Sequence, residues 1–323
     1  MTRSHQFDPP RSFARATRAL ILVSGSAILA MFVAACGTPL NVTRLSQPGW
    51  LPASYLHWSP DGNRLAVTSI SGNPPISAIY VADLQLRTMK IALKQGPGQV
   101  HVQGWTEDGR QLAFSALSFK DFKDGTWLDD PNTNTPPEFL QSETAMAWSP
   151  AGAMAFVRED KATHTLSLAL RDPGTGKETV IFSSAGAAIN SVFWSSDGSR
   201  LVFAFQKESE KSSIYIFDPG TGQVTQVSSA EDQWNPSLSP DGKLIAYSKW
   251  DPNQSSTPAA LHILKSDGSC DVEVPGRLDV YSPTWSPHGK YIAYVGISDS
   301  NVYLLDLVGS FGRDIVRWGL PCP

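Results

Sequence analysis

Residues 58–67 read WSPDGNRLAV. A tryptophan, a Ser-Pro-Asp-Gly turn and a short apolar run can build a hairpin or an acidic ligand loop, and recurrence decides between the two. The stretch returns as WTEDGRQLAF from Trp105, WSPAGAMAF from Trp148, WSSDGSRLVF from Trp194, LSPDGKLIAY from Leu238 and WSPHGKYIAY from Trp285. Successive starts lie 47, 43, 46, 44 and 47 residues apart. Such a period marks a repeat fold. A repeated ligand site should keep its carboxylate, yet Ala151 and His288 stand where the other copies hold Asp61, Asp108, Asp197 and Asp241. The motif therefore carries architecture.

Within one repeat the apolar period is 2, which argues for strands. The fourth copy predicts strands over residues 189–194, 201–205, 214–217 and 224–227, separated by the turns 195–198 and 218–222. Pro presets φ early in such a turn, Asp bonds its own backbone, and Gly accepts positive φ. The turn glycines are Gly62, Gly109, Gly152, Gly198, Gly242 and Gly289. Four antiparallel strands in about 45 residues form one propeller blade. A blade cannot bury both faces alone, so Trp58, Trp105, Trp148, Trp194 and Trp285 are expected between blades. The predicted fold is all-β, a six-bladed β-propeller of four-stranded antiparallel blades over residues 49–323.

The pattern W-S-P-D-G-x-x-[LI]-A-[FY] resembles the PD40, or WD40-like, β-propeller repeat, which TolB, the propellers of prolyl-oligopeptidase-type peptidases and oligogalacturonate lyase carry. The resemblance covers residues 54–318. It implies the fold and leaves activity open, because one fold hosts many functions. TolB's separate N-terminal domain has no counterpart in the few residues between Cys36 and Trp50.

Ahead of the repeats, Arg3, Arg11, Arg15 and Arg18 precede residues 19–35, which hold no charge and run through Val33-Ala34-Ala35 into Cys36. Basic region, apolar run and small-residue site in that order read as a signal peptide over residues 1–35. The Val-Ala-Ala-Cys run resembles the bacterial lipobox, which implies a lipidated Cys36 as the first mature residue. The alternative is an uncleaved anchor with a chance cysteine. Residues 36–48 then form a tether, with 42–46 a possible outer strand of blade six. Residues 315–318 compete for that place. If 42–46 wins, only residues 37–41 separate lipid from propeller, a reach of roughly 17 Å. The Ser-Pro-Asp-Gly turns would then face the membrane. The expected location is extracytoplasmic, lipid-anchored to the cell membrane or outer membrane.

Without residues 1–35, 288 of the 323 residues remain, with 22 basic (26 less 4) and 29 acidic (30 less 1) side chains, a net charge of −7. An acidic chain without a basic stripe repels phosphate backbones, which argues against nucleic acid as a partner. Beyond Cys36 stand Cys270 and Cys322, which can pair outside the cytoplasm. A last strand at 315–318 would put Cys322 on the face opposite Cys270, so pairing requires the tail to fold back or that segment not to be a strand.

Residues 36–323 hold no Gly-x-Ser-x-Gly elbow, no thiol with an evident His partner, and five histidines spread over five repeats: His57, His101, His164, His262 and His288. His57 and His101, one and four residues before their tryptophans, are not expected to share a site, and His288 is expected to face water. No cofactor, metal or catalytic group is predicted. What remains is a surface. The position four residues before each repeat start gives Ser54, His101, Thr144, Asn190, Trp234 and Tyr281, a ring polar on one side and aromatic on the other. Trp50, Trp127 and Trp250 are expected in loops at the same end, and aromatic side chains there anchor partners or sugars. Residues 118–137 form the longest insertion and the expected flap. The expected function is a non-catalytic binding or scaffold protein, a monomer whose propeller face binds an envelope protein or polysaccharide. The alternative is a propeller enzyme acting on oligosaccharides, like oligogalacturonate lyase, with a metal in the channel.

Overall fold

The computed structural model describes residues 40–308 apart from 47–51, 87, 120–121, 142–145, 161, 186, 208–209, 230–231, 251–258 and 277. The leader, Cys36, Trp50, Thr144, residues 315–318 and Cys322 lie outside the described residues. β1 (Val42–Arg44) precedes blade one, which is β2 (Ala53–Trp58), β3 (Arg64–Ser71), β4 (Ile76–Asp83) and β5 (Thr88–Pro97). Blade two is β6 (Gln99–Trp105), β7 (Leu112–Leu117), β8 (Gly125–Asp129) and β9 (Glu138–Gln141). Blade three is β10 (Ala147–Trp148), β11 (Met154–Asp160), β12 (Thr165–Arg171) and β13 (Glu178–Ala185). Blade four is β14 (Ala187–Trp194), β15 (Leu201–Lys207), β16 (Ser213–Asp218) and β17 (Gln223–Gln226). Blade five is β18 (Gln233–Leu238), β19 (Leu244–Trp250), β20 (Ala259–Lys265) and β21 (Asp271–Glu273). Blade six is β22 (Val280–Trp285), β23 (Tyr291–Gly296) and β24 (Val302–Asp306), and β1 completes it. The fold is a six-bladed β-propeller.

Period-2 alternation becomes packing between blades. In β3, Leu65 and Val67 bury against Val295, Val302 and Leu304 of blade six, while Ala66 between them joins Val100 and Phe114 of blade two. In β15, Phe203 packs toward Ala155 and Leu168 of blade three, and Val202 toward Ile245 and Tyr247 of blade five. Each strand thus feeds two neighbouring cores, so no blade is stable without the next.

The turn after each inner strand is held by a hydroxyl. Ser59, Thr106, Ser149, Ser195, Ser239 and Ser286 each accept the backbone N–H that restarts the chain, from Arg64, Gln111, Ala153, Arg200, Leu244 and Tyr291. Where Asp is present it joins: Asp61 accepts from Ser59 Oγ at 2.5 Å and from the amide of Asn63 at 3.1 Å. Asp108, Asp197 and Asp241 do the same. Burial pushes the Asp61, Asp197 and Asp241 carboxyls up, but the hydrogen bonds outweigh it and hold all three below the usual range. At Asp108 the Thr106 hydroxyl is the largest cause of the same lowering.

Neighbouring turns clasp one another. Arg64 donates to the Gly109 carbonyl at 2.5 Å and lies 4.7 Å over the Trp105 ring, and Arg200 donates to the Gly242 carbonyl at 3.2 Å. His288 is exposed, as expected, and its Nε2 also lies 3.0 Å from the Asp61 carbonyl, joining the turns of blades six and one. The Trp58 indole donates to the Thr284 carbonyl and the Trp105 indole to the His57 carbonyl, so two repeat tryptophans bond across blade boundaries. The indole nitrogens of Trp148, Trp194 and Trp285 are buried without a partner among the described residues.

Closure falls to the N-terminal segment. β1 pairs antiparallel with β24, Val42 opposite Leu305 and Arg44 opposite Tyr303. Ser46 Oγ and the Arg44 guanidinium both donate to Asn301 Oδ1, at 2.7 and 2.8 Å. Asp306 donates to the Asn41 carbonyl and Leu307 to the Lys290 carbonyl, so the chain enters β1 and leaves β24 at the edge carrying the blade-six turn. Of the two segments expected to compete for the fourth-strand place, the N-terminal one takes it as β1. Cys270, on the turn between β20 and β21, is buried and disulfide-bonded; Cys36 and Cys322, the other two cysteines, lie outside the described residues. Residues 118–137 differ from the expected flap. They contain β8, and Phe119 from the same stretch is buried in the core between blades one and two.

Asn301→Ala removes the acceptor shared by Arg44 and Ser46. It is expected to lower the unfolding free energy by about 1–2 kcal/mol, read from urea denaturation. An unchanged midpoint would mean that this contact does not hold the ring closed.

Candidate functional site: the channel and an apolar pocket beside it

Inner strands line the propeller channel, and their registers decide which side chains reach it. The ladder to the second strand slips between Ala53 and Tyr55, Val102 and Gly104, Ile189 and Ser191, Trp234 and Ser237, and Tyr281 and Thr284. A bulge opposes two residues to one and re-aims the strand. In blades five and six it coincides with Pro236 and Pro283, which have no N–H for the ladder, after Asn235 and Ser282 at φ of +51°. In blade two it reaches Gly104, where a Cβ would meet the Trp148 carbonyl oxygen at 2.6 Å.

One consequence corrects the expectation for the histidines. His57 and His101 line the same cavity of about 200 Å³, together with Tyr55, Gln103, Ser191 and Phe193. Offsets counted from the tryptophan ignored the bulges, which change the phase of the two strands differently. His101 meets Tyr55 edge-on at 5.5 Å and His57 lies 5.6 Å from Phe193. Burial pushes the His57 imidazole down to about 4 and also lowers His101, so both are neutral at physiological pH. A second, smaller cavity of about 80 Å³ shares His57, Gln103 and Phe193 and ends at the five repeat tryptophans and Leu238. Among the described residues, no Asp, Glu, Lys or Arg lines either cavity.

A separate pocket of about 560 Å³ opens where blades five, six and one meet. Trp234, Trp250, Tyr281, Ala259, Val295 and Ile297 give it an apolar wall. Trp250, the last residue of β19, is 43% exposed and is held by its amide donating to the Asp232 carbonyl at 3.0 Å. Asp232, on the rim, is 3.3 Å from Lys211 Nζ. Tyr281 also reaches inward, donating from its hydroxyl to that of Tyr55 at 3.4 Å. Burial foremost, then the Tyr55 phenol, pushes the Tyr281 hydroxyl above its ordinary value.

The expected ring therefore divides. Trp234, Tyr281 and Trp250 come together in the pocket, and His101 lines the channel. Ser54 is half-buried at the β2 bulge and lines neither. Asn190 sits at the β14 bulge, and its side chain, like Thr144, lies outside the described residues. Trp127 is not in a loop at the mouth. It belongs to β8, its indole donates to the Lys123 carbonyl, and Phe122 and Phe139 flank it at 4.8 and 4.9 Å. Sequence reasoning missed Tyr55, His57 and Gln103 as channel residues. Gly104 was the signal for the bulge beside Gln103, whereas β2, with neither Pro nor Gly, gave none for Tyr55 and His57.

The metal expected under the alternative reading is not matched by the donor set. The described channel residues offer two imidazoles and no carboxylate, and no group of three His, Cys, Asp or Glu comes together among the described residues.

No protein-family model and no curated protein matches the chain. Solved structures do. TolB from Acinetobacter baumannii superposes with a TM-score of 0.56 at 21% identity, over 73% of this chain and 57% of that one. The chain thus spans little more than half of that TolB's length. A putative TolB from Agrobacterium tumefaciens gives 0.57 at 17%, over 82% and 96%, and a manganese complex of oligogalacturonate lyase 0.55 at 17%, over 84% and 94%. The likeness is one of fold. At these identities it transfers neither partner nor activity.

The histidine environment gives a signed pH dependence. Unfolded His57 takes its proton near 6.5, whereas the folded imidazole does so near 4. Between these values the unfolded state binds more protons, so stability rises with pH there and is level above. Acidifying from pH 7 to 4 should cost wild type roughly 2–3 kcal/mol more than His57→Gln, measured by urea unfolding across pH. Parallel pH curves for the two proteins would rule this out.

Proposed function

We propose that the chain is a lipid-anchored, extracytoplasmic binding protein that engages an envelope protein or polysaccharide through the pocket between blades five, six and one. The observation that carries this reading is the pocket itself: two tryptophans and a tyrosine around an apolar volume of about 560 Å³, with Trp250 43% exposed. Large aromatic side chains in such a setting dominate binding energy. TolB-like propellers among the similar structures are in keeping with an envelope protein. The enzyme reading rests on fold likeness alone.

The latch supports an orientation. Asn41 meets the last strand at the edge of the blade-six turn, and Cys36 is five residues earlier. With a lipid on Cys36, the turn edge would lie toward the membrane, which leaves the pocket, at the other ends of the inner strands, directed outward.

Two experiments test the reading. Trp234→Ala with Trp250→Ala should reduce recovery of envelope partners in a cross-linked pull-down by about tenfold or more while the melting curve is retained; undiminished recovery would place binding elsewhere. Cys36→Ser should release the protein from the membrane fraction, and non-reducing peptide mapping of wild type should join Cys270 to Cys322. A Cys270–Cys36 linkage would overturn the lipid anchor, since that thiol cannot serve both roles.

A further inference from the structure

We propose that the channel cavity bounded by Tyr55, His57, His101, Gln103, Ser191 and Phe193 is a second binding site, for a small uncharged polyol of about the size of a single sugar ring. This site is distinct from the pocket and does not depend on what the pocket binds.

The cavity's chemistry selects the ligand class. Its volume of about 200 Å³ is room for several waters or one small ring compound. None of the described residues that line it is charged, although 17% of the chain is. A charged ligand would lose its hydration there and find no opposite charge, which costs several kcal/mol. An entirely apolar ligand would leave polar groups unmatched. The His57 and His101 ring nitrogens, which line it, make no hydrogen bond among the described residues, and because burial keeps both rings neutral each offers one donor and one acceptor. Gln103 gives Nε2–H to Ser115 at 2.9 Å, which leaves its carbonyl oxygen as an acceptor. Ser191 is fixed by donating to Asn235 at 2.8 Å, so its oxygen can accept. Tyr55, His101 and Phe193 add three aromatic rings to the lining. Aromatic faces with neutral donors and acceptors suit a polyol ring, which presents C–H faces and hydroxyl edges.

The smaller cavity below shapes the floor. Five tryptophans and Leu238 line it, and its volume of about 80 Å³ is less than half that of the cavity beside Tyr55. A ring compound therefore fits the larger cavity rather than the smaller.

The test uses the full chain, treated with EDTA so that binding cannot depend on a metal. Isothermal calorimetry would titrate D-glucose, D-galactose and myo-inositol, with D-galacturonate and D-glucosamine as charged counterparts. Saturable one-to-one binding of at least one neutral compound is expected, with its charged counterpart about tenfold weaker or worse. His101→Leu and Gln103→Leu should each weaken it about tenfold, while Trp250→Ala, in the separate pocket, should leave it unchanged. Melting curves of each variant verify the fold, and two independent variants keep the test open if one fails to fold. Absence of saturable binding by all three neutral compounds overturns the proposal. Equal binding of the charged counterparts, or full affinity in both channel variants, does so too. None of these results bears on the pull-down of the pocket variants.

Discussion

Three residues of β1 carry the constraint on which the rest depends. A propeller blade buries its faces only between two neighbours, so a linear array of six would leave two faces in water. β1 supplies the fourth strand of blade six from the beginning of the chain, which ties the first and last blades into one ring. The contacts beside it hold that junction from the inner strand to the turns. Trp58 bonds Thr284, and His288 reaches the Asp61 carbonyl. Both proposed sites exist only because of it. The pocket needs Ala53 from blade one beside Tyr281 from blade six, and the channel is a channel only when closed.

The fold was legible because its constraint repeats. Six turns each need a hydroxyl to take up the amide that restarts the chain, and the residue after the repeat Trp or Leu is Ser or Thr in all six copies. The carboxylate varies because it is the secondary group. In the third copy, Ser149 still binds the amide of Ala153, and Gly152 donates to the Ser149 carbonyl without any Asp. His288 shows what replacement can add, since the imidazole spends its hydrogen bond on the adjacent blade.

The site was legible only in part, and bulges are the reason. Counting four residues back from each tryptophan treats every inner strand as a regular ladder. It selects Trp234 and Tyr281 for the pocket and His101 for the channel, but misses Tyr55 and His57. Pro236, Pro283 and Gly104 are residues that a regular inner strand would avoid, but β2 holds neither Pro nor Gly, so the bulge that re-aims Tyr55 and His57 carried no such mark. Trp127 misled for a different reason. Phe139 comes beside it only through the pairing of β8 with β9, and Phe122 through the turn of chain that precedes β8.

The Tyr55–Tyr281 hydrogen bond is where the two sites meet. Tyr281 walls the pocket, and its hydroxyl reaches Tyr55, which walls the channel and stands edge-on to His101. A ligand that displaces Tyr55 must lengthen or break that bond, and a partner that moves Tyr281 must do the same from the other side. Any coupling this produces is reciprocal by linkage. Its size is bounded by one long hydrogen bond between neutral groups, about 1 kcal/mol, so occupancy of one site can tune the other by roughly fivefold at most. The geometry therefore permits modulation of binding at the pocket by the channel and does not provide for an all-or-none switch.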